Sequence, residues 1–167
     1  MDAADLEKVY DAYASGLFHY LIGFTRCEAD ARDLLQDLFI KLAQGARKPA
    51  LSEKAFLYRI AHNLAIDWLR RQATRGDVQE RFFSELDPNP HCTDDPDSSL
   101  LASSFASAIQ TLPREQLAVV QLRLFDGLTF EEIAAIQSVP LNTAASRWRY
   151  ALEKLRAILR PLYEEII

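Results

Sequence analysis

The chain has 167 residues, a formal net charge of −5 and an apolar content of 49%. This length accommodates one ordinary domain or two small ones, and the composition is that of a globular protein, which excludes a wholly disordered chain. The acidic total argues against a nucleic-acid-binding protein, because such proteins usually carry an excess of basic residues.

The negative charge is concentrated in the middle of the chain. Residues 1–75 carry a net charge of +1, residues 76–104 a net charge of −6, and residues 105–167 a net charge of zero. The two flanking parts are therefore near neutral, and the acidic total does not by itself decide whether they bind DNA.

Cysteine usage and the N-terminal sequence predict a cytoplasmic protein. Cys27 and Cys92 are too few for a disulfide framework, which favours a reducing compartment. No apolar run is long enough to span a membrane, and the acidic, amphipathic N-terminus does not resemble a signal peptide.

Three helices are predicted before residue 75, because apolar residues recur there every three or four positions. The first stripe contains Leu6, Val9, Tyr10, Tyr13, Leu17, Tyr20, Leu21 and Phe24. The second contains Leu34, Leu35, Leu38, Phe39 and Leu42, and the third contains Leu57, Ile60, Ala61, Leu64 and Trp68. Ser52 is the predicted N-cap of the third helix.

A flexible linker is predicted next. Residues 84–99 are rich in proline, acidic residues and serine, and they contain too few apolar residues to offset the entropy of ordering. The predicted organisation is therefore a domain at 1–75, a linker at 76–98 and a second domain at 99–167. The linker favours independent motion of the domains, with a compact arrangement as the alternative if their small cores share a surface.

Helical periodicity resumes at Leu101, and Pro113 suits the first turn of a further helix. The predicted inner face of that helix contains Leu117, Val120, Gln121 and Leu124. Asp126 and Gly127 are predicted to end it.

The clearest local signal lies at residues 128–133. Thr129 and Glu132 have the spacing of a capping box, and Leu128 and Ile133 that of a hydrophobic staple. A short helix is predicted to run to Gln137, followed by a break at 138–140 and a new helix with Asn142 as its N-cap.

Two helices joined by so short a turn form either a DNA-binding helix-turn-helix or an ordinary helical hairpin. In the first case the start of the second helix enters the major groove. The candidate DNA-contacting side chains are Asn142, Thr143, Ser146, Arg147, Arg149 and Tyr150. In the second case these side chains are merely solvated.

Two further surfaces, on the predicted second and third helices, each allow two interpretations. The third helix combines basic and aromatic groups suited to single-stranded nucleic acid, although in isolation a solvated face is the favoured interpretation. Its candidate residues are Lys54, Tyr58, Arg59, His62, Asn63, Arg70 and Arg71. The second helix has an acidic polar stripe suited to a basic partner or to solubility, formed by Asp33, Gln36, Asp37 and Lys41.

Enzyme chemistry is not predicted, and no catalytic residue, cofactor or metal is assigned. The three histidines are scattered, and the sequence has neither a phosphate-binding glycine loop nor cysteines at zinc-ligand spacing.

Two blocks of sequence resemble bacterial RNA polymerase sigma factors, most closely the small extracytoplasmic-function (ECF) group. Residues 33–42 (DLLQDLFIKL) and 56–71 (FLYRIAHNLAIDWLRR) are similar to sigma region 2. Residues 112–116 (LPREQ), 122–134 (LRLFDGLTFEEIA) and 140–147 (PLNTAASR) are similar to region 4. The resemblance covers nearly the whole chain except the linker.

The resemblance implies an all-α, non-enzymatic protein with two small helical domains that directs core RNA polymerase to promoters. The stripe around Asp33 and Asp37 would dock on core polymerase. The third helix, with the loop 45–54, would engage and open the minus-10 element, and the helix from Asn142 would recognise the minus-35 element. An anti-sigma factor is a further implied partner.

Two alternatives stay open at this stage. One is a sigma-like decoy that binds an anti-sigma factor but not DNA, and the other is a helix-turn-helix regulator that acts without polymerase. The near-neutral domains also predict that the free chain binds DNA weakly and gains specific binding only with core polymerase.

Overall fold

The computed structural model describes residues 2–46, 51–75 and 96–166, and it places the side chains of 2–46, 51–75, 103–161 and 164. Within these ranges the chain is helical and contains no strand, which confirms the all-α prediction. The helices are α1 (Ala3–Thr25), α2 (Glu28–Ala43), α3 (Glu53–Thr74), α4 (Pro96–Gln110), α5 (Arg114–Val120), α6 (Phe130–Gln137) and α7 (Leu141–Ile166), and a π-helical turn (Gln121–Phe125) directly follows α5.

Two of the sequence predictions fall partly outside these ranges. Residues 76–95 of the predicted linker, including Cys92, and residues 47–50 of the loop before α3 lie outside the described residues. The last three residues of the predicted linker, 96–98, lie in the first turn of α4, which begins at Pro96. Proline is well suited to a first helical turn because its missing N–H would have no partner there.

Helices α1, α2 and α3 pack against one another around apolar stripes that match the predicted ones, except at Tyr10, which is 51% exposed. Leu17, Leu21 and Phe24 of α1 and Leu38 of α2 are almost fully buried. The predicted N-cap of α3 is confirmed, because the Ser52 hydroxyl oxygen accepts a hydrogen bond of 3.2 Å from the Ala55 N–H.

The core of this three-helix unit continues into the second half of the chain. Ala118, Val119 and Leu122, from α5 and the π-helical turn, are fully buried in the same apolar cluster as the α1–α3 residues, and so is Ile133 of α6. A smaller cluster, which includes Ile109, Leu112 and Leu155, holds α4, α5 and α7 together. The compact alternative is therefore the one observed, because the two small cores share a surface.

The predicted inner face of the helix after Pro113 is wrong at Leu124. This side chain is 49% exposed, while the neighbouring Leu122 is fully buried. The reason is the π-helical turn, in which the Asp126 N–H donates to the Gln121 carbonyl at 3.3 Å. In a π-helical turn each N–H bonds to the carbonyl five residues earlier, which changes the rotation per residue. The 3.6-residue pattern therefore no longer predicts which side chains are buried.

The helix-turn-helix is built largely as predicted. The Glu132 N–H donates to the Thr129 hydroxyl at 3.2 Å and the Thr129 N–H donates to Glu132 Oε2 at 2.9 Å, which confirms the capping box. The staple residues Leu128 and Ile133 are both buried. Ser138 turns the chain after α6 in the left-handed conformation, at φ 54° and ψ 45°.

Asn142 is not the N-cap of α7, contrary to the prediction. The helix begins at Leu141, and the Pro140 carbonyl accepts hydrogen bonds from the N–H groups of Thr143 and Ala144 at 3.0 and 3.2 Å. These bonds close the first turn around Asn142, so this residue lies inside that turn.

Candidate nucleic-acid interface

The acidic stripe on α2 is exposed, as a docking surface requires. Its four predicted side chains, Asp33, Gln36, Asp37 and Lys41, all face solvent. They share one side of the helix because they follow helical spacing, and the opposite side is anchored in the core by Leu34 and Leu38. The structure thus brings this predicted set together on one face.

A groove of about 580 Å³ runs between α1 and α2 beside this stripe. Asp33 and Gln36 lie on its wall, together with the apolar side chains of Phe18 and Leu35. The ring of Tyr10, half of which is exposed, packs 5.0 Å from that of Phe39 between centroids. The α2 face therefore combines carboxylates with an apolar recess.

The predicted nucleic-acid residues of α3 divide into an exposed set and a covered set. Asn63, Arg70 and Arg71 are exposed, and Arg59 is half-buried. Tyr58 and His62, in contrast, are only 1% and 7% exposed. Sequence periodicity predicts all of them on the polar side of α3, but α1 and Asp126 cover part of that side.

Asp126 is the residue that covers Tyr58 and Lys54. The Tyr58 hydroxyl donates to Asp126 Oδ1 at 2.6 Å, and Lys54 Nζ donates to the Asp126 carbonyl at 2.5 Å while lying 3.9 Å from Oδ1. Burial raises the pKa of Asp126, and the hydrogen bond from Tyr58 and the charge of Lys54 oppose this rise. Burial and Asp126 together also raise the pKa of Tyr58. A carboxylate thus contacts two of the side chains predicted to bind DNA, Lys54 and Tyr58.

His62 lies in a buried aromatic environment next to Tyr20. The Tyr20 hydroxyl and His62 Nδ1 are 2.9 Å apart and share a hydrogen bond, and the Phe24 ring packs edge-on at 5.7 Å. Burial lowers the pKa of His62 to about 4; the positive charge of Arg147 adds to this, and the charge of Glu115 opposes it. The imidazole is therefore uncharged at neutral pH, and the positive charge of Arg147 in α7 contributes to this.

The candidate DNA-contacting residues of α7 lie mostly on its accessible side. Asn142, Arg149 and Tyr150 are exposed, and Thr143, Ser146 and Arg147 are half-buried. The Arg149 guanidinium lies 5.4 Å from the centre of the Tyr150 ring, a cation–π contact that presents both groups together.

Arg147 is held in place by the helix that precedes it. Its Nη1 donates to Gln137 Oε1 at 2.8 Å, and the buried Gln137 in turn donates from Nε2 to the Glu115 carbonyl at 3.4 Å. This chain of contacts fixes the guanidinium relative to α5 and α6, so Arg147 is positioned before any ligand binds.

Several contacts between the two halves had no signal in the sequence. From the sequence, Asp126 is predicted only to end a helix, Gln121 only to lie on its inner face, and Arg114 only to belong to a family motif. Arg114 Nε donates to the Phe24 carbonyl at 3.1 Å, and Gln121 Nε2 donates to the His19 carbonyl at 3.4 Å. Local periodicity contains no information about such distant partners.

No helix in the described ranges is both long and apolar enough to cross a bilayer. Nor do three or more metal-ligating side chains come together anywhere in the part of the chain with placed residues.

Family models match both halves of the chain. Residues 9–75 match sigma-70 region 2, and residues 108–157 match sigma-70 region 4. The first range corresponds to α1–α3, and the second to the segment from the end of α4 into α7. Together the two matches cover more than half of the chain.

Characterised relatives match almost end to end. The RNA polymerase sigma factor YlaC of Bacillus subtilis is 32% identical, with 89% of this chain and 90% of the relative covered. The ECF RNA polymerase sigma factor SigL of Mycobacterium tuberculosis is 28% identical, with 96% of this chain and 92% of the relative covered.

The fold is also similar to that of solved sigma factors. RpoE from Bartonella quintana, in complex with the anti-sigma factor NepR, superposes with a TM-score of 0.73 at 23% identity, covering 93% of this chain and 97% of RpoE. CnrH, in complex with the cytosolic domain of CnrY, superposes with a TM-score of 0.65 at 20% identity, covering 96% of this chain and 90% of CnrH. With both family regions present in order, the chain belongs to the ECF group of RNA polymerase sigma factors, which direct promoter-specific transcription initiation.

Proposed function

We propose that this sigma factor uses three surfaces, each for a different binding step. The α2 stripe of Asp33, Gln36, Asp37 and Lys41 docks on core RNA polymerase. The α3 side chains, with the loop 45–54, bind and open the minus-10 element. The start of α7 recognises the minus-35 element. The two functional domains are residues 1–75 and 99–167, and residues 76–98 form the linker between them.

The helix-turn-helix is the observation that carries this proposal most directly. Its capping box fixes α6, and the Gln137 contact fixes Arg147 at the start of α7. An arginine held in this way is suited to bidentate hydrogen bonding with guanine in the major groove. Arg149 and Tyr150 beside it supply a phosphate contact and a hydrogen-bonding hydroxyl.

The polymerase-docking role rests on exposure and charge. All four α2 side chains are accessible while the second half of the chain is packed against α1 and α3. A carboxylate stripe beside an apolar groove fits a partner helix that has both basic and apolar side chains. Because core polymerase and chromosomal DNA are cytoplasmic, we place the protein in the cytoplasm.

We also propose that an anti-sigma factor controls the protein, as part of a response to stress or to changes in the cell envelope. The RpoE and CnrH structures are both complexes with a regulatory partner. Their likeness to this chain establishes the fold alone, so the partner must be tested directly.

Run-off transcription with purified core polymerase tests the central proposal. With genomic fragments that include the DNA upstream of its own gene, we expect promoter-dependent transcripts that are absent with core polymerase alone. A matched Arg70→Ala/Arg71→Ala variant should still bind core polymerase but open the promoter less, as measured by permanganate reactivity.

If the protein and core polymerase start transcription on none of the fragments, the proposal is overturned. If that failure were accompanied by tight binding to an anti-sigma factor, the decoy alternative would replace it. Specific promoter binding in the absence of core polymerase would favour the polymerase-independent regulator.

A further inference from the structure

Gln137 is a polar side chain in apolar surroundings. It ends α6 and is only 7% exposed, and its neighbours Ile133, Ala134 and Ile136 are buried in the core. A buried amide loses its hydrogen bonds to water and destabilises the fold unless protein groups replace them. An apolar side chain of similar length would fill the same space without this requirement. The amide therefore has a role other than filling the core.

Both ends of the amide are hydrogen-bonded, and these bonds join three helices. Its Oε1 accepts from Arg147 Nη1 of α7 at 2.8 Å, and its Nε2 donates to the Glu115 carbonyl of α5 at 3.4 Å. Only the nitrogen of an amide can donate, so the bond to the carbonyl directs the nitrogen towards α5. The oxygen is thereby presented to Arg147.

The rest of the Arg147 guanidinium is available for a ligand. This side chain is half-buried, and within the described ranges it makes no hydrogen bond except that to Gln137 and no ion pair. Nε and Nη2 remain as adjacent donors, which is what a bidentate contact with guanine requires. Because glutamine is uncharged, it holds the guanidinium without cancelling the positive charge that attracts DNA.

We propose that Gln137 is a positioning residue for minus-35 recognition, which acts by orienting Arg147. A free arginine side chain populates many rotamers, and ordering it on binding lowers the affinity. The bond to Gln137 restricts these rotamers before DNA binds. Gln137 thus increases both the affinity for the minus-35 element and the preference for the base that Arg147 contacts. This inference rests on the proposed role of Arg147 in that recognition.

Gln137→Met is the test variant, because methionine is similar in length and suits a buried position but cannot replace either hydrogen bond. Ile136→Val is the matched control, since it reduces packing in the same turn of α6 and leaves the amide in place. Binding is measured by gel shift with holoenzyme and a promoter fragment identified by run-off transcription. We expect about fivefold weaker binding for Gln137→Met, the effect of ordering one long side chain, and nearly unmodified affinity for Ile136→Val.

A double-mutant cycle separates positioning from a structural role. A structural defect in α6 would weaken binding whether or not Arg147 is present. If Gln137 acts through Arg147, Gln137→Met should have no further effect on affinity in the Arg147→Ala background.

Base preference gives a second readout that a structural defect would not reproduce. Single base-pair substitutions across the minus-35 element should identify the pair at which Arg147→Ala loses discrimination. Gln137→Met should lose discrimination at that pair alone, because the amide affects DNA only through this arginine.

The orientation itself is measured on the free, full-length protein without DNA. In nitrogen NMR spectra of arginine side chains, a hydrogen-bonded guanidinium rotates slowly and gives separate Nη signals, whereas an unrestrained one rotates rapidly. We expect slow rotation for Arg147, assigned by comparison with Arg147→Ala, and rapid rotation of the same group in Gln137→Met.

Rapid rotation of Arg147 in the unmodified protein would overturn the proposal, even if Gln137→Met failed to fold. Unmodified affinity in Gln137→Met, an equal loss in the Arg147→Ala background, or a loss of discrimination at every base pair would also overturn it. Unchanged binding by Arg147→Ala would refute the recognition role of Arg147 and, with it, that of Gln137. Absence of run-off transcription would instead refute the proposed function, whereas the NMR spectra would still show whether Gln137 holds Arg147.

Discussion

The Ser52 hydroxyl donates a 2.8 Å hydrogen bond to Oε1 of Glu132, and this bond joins the N-termini of α3 and α6. Ser52 is also the N-cap of α3, and the other oxygen of Glu132 accepts from the Thr129 N–H in the capping box of α6. One carboxylate therefore stabilises a local helix start and a contact between the two halves of the chain. It also lies where both helix dipoles favour negative charge.

Replacing Glu132 should weaken both contacts. For Glu132→Ala we expect a loss of about 1–2 kcal/mol in the free energy of unfolding, measured by urea denaturation, because two hydrogen bonds are lost. Glu132→Gln is the control: glutamine also completes a capping box, so its loss should be smaller. Equal stability of the alanine variant and the unmodified protein would contradict this role.

Ser138→Gly should stabilise the protein. Ser138 adopts φ 54°, a conformation that costs a residue with a Cβ atom about 1–2 kcal/mol. Glycine removes that strain but adds entropy to the unfolded chain, so the expected net gain is about 0.5–1 kcal/mol in the free energy of unfolding. Ser138→Ala keeps the strain and serves as the control; a glycine variant no more stable than this control would contradict the prediction.

Acid should destabilise the fold through His62. Burial lowers its pKa to about 4 from an ordinary value of 6.5, so the unfolded chain binds the proton more readily than the folded one. The stabilisation is present above pH 6.5 and is lost as the pH falls towards 4. Between pH 7 and pH 5 we expect a loss of about 2 kcal/mol.

Urea denaturation at several pH values measures this effect. In His62→Gln the decline between pH 7 and pH 5 should be much smaller, whatever its stability at pH 7. Burial raises the pKa of Asp126, which by itself favours the folded state at lower pH. If the free energy of unfolding of His62→Gln falls with pH as steeply as that of the unmodified protein, groups other than His62 cause the decline.

Asp37→Lys should weaken binding to core polymerase. Asp37 is exposed on α2 and lies on the side opposite the buried leucines, so reversing its charge should alter docking and leave the fold intact. We expect at least a tenfold higher dissociation constant with unchanged helix content by circular dichroism. Asp11→Lys makes the same charge change at an exposed α1 position and should have little effect; equal affinities of the two variants would argue against the α2 surface.

Arg147→Ala should weaken recognition of the minus-35 element. If its guanidinium contacts a base bidentately, binding of the holoenzyme should lose about 1–3 kcal/mol, measured by gel shift on promoter DNA. Arg156→Ala is the control, because Arg156 is an exposed arginine further along α7. Unchanged affinity in Arg147→Ala would remove this residue from the recognition set.

The helices and their local signals could be predicted because they depend on neighbours in the sequence. The apolar stripes of α1–α3, the Ser52 cap and the Thr129–Glu132 capping box all follow from spacing within a few turns. Two of the exceptions, at Leu124 and at the start of α7, have local causes beyond the 3.6-residue pattern. The π-helical turn exposes Leu124, and the Pro140 carbonyl starts α7 before Asn142.

The sequence by itself also determined the family, because the two blocks of motif residues lie in the expected order. Only the tertiary structure decided which surfaces are free. Tyr58 and His62 have the same polar, helical setting in sequence as Asn63, yet the first two are buried and the third is exposed. Tyr58 is bound by Asp126 and His62 by Tyr20, which lie far away along the chain, and helical periodicity carries no information about partners at that distance.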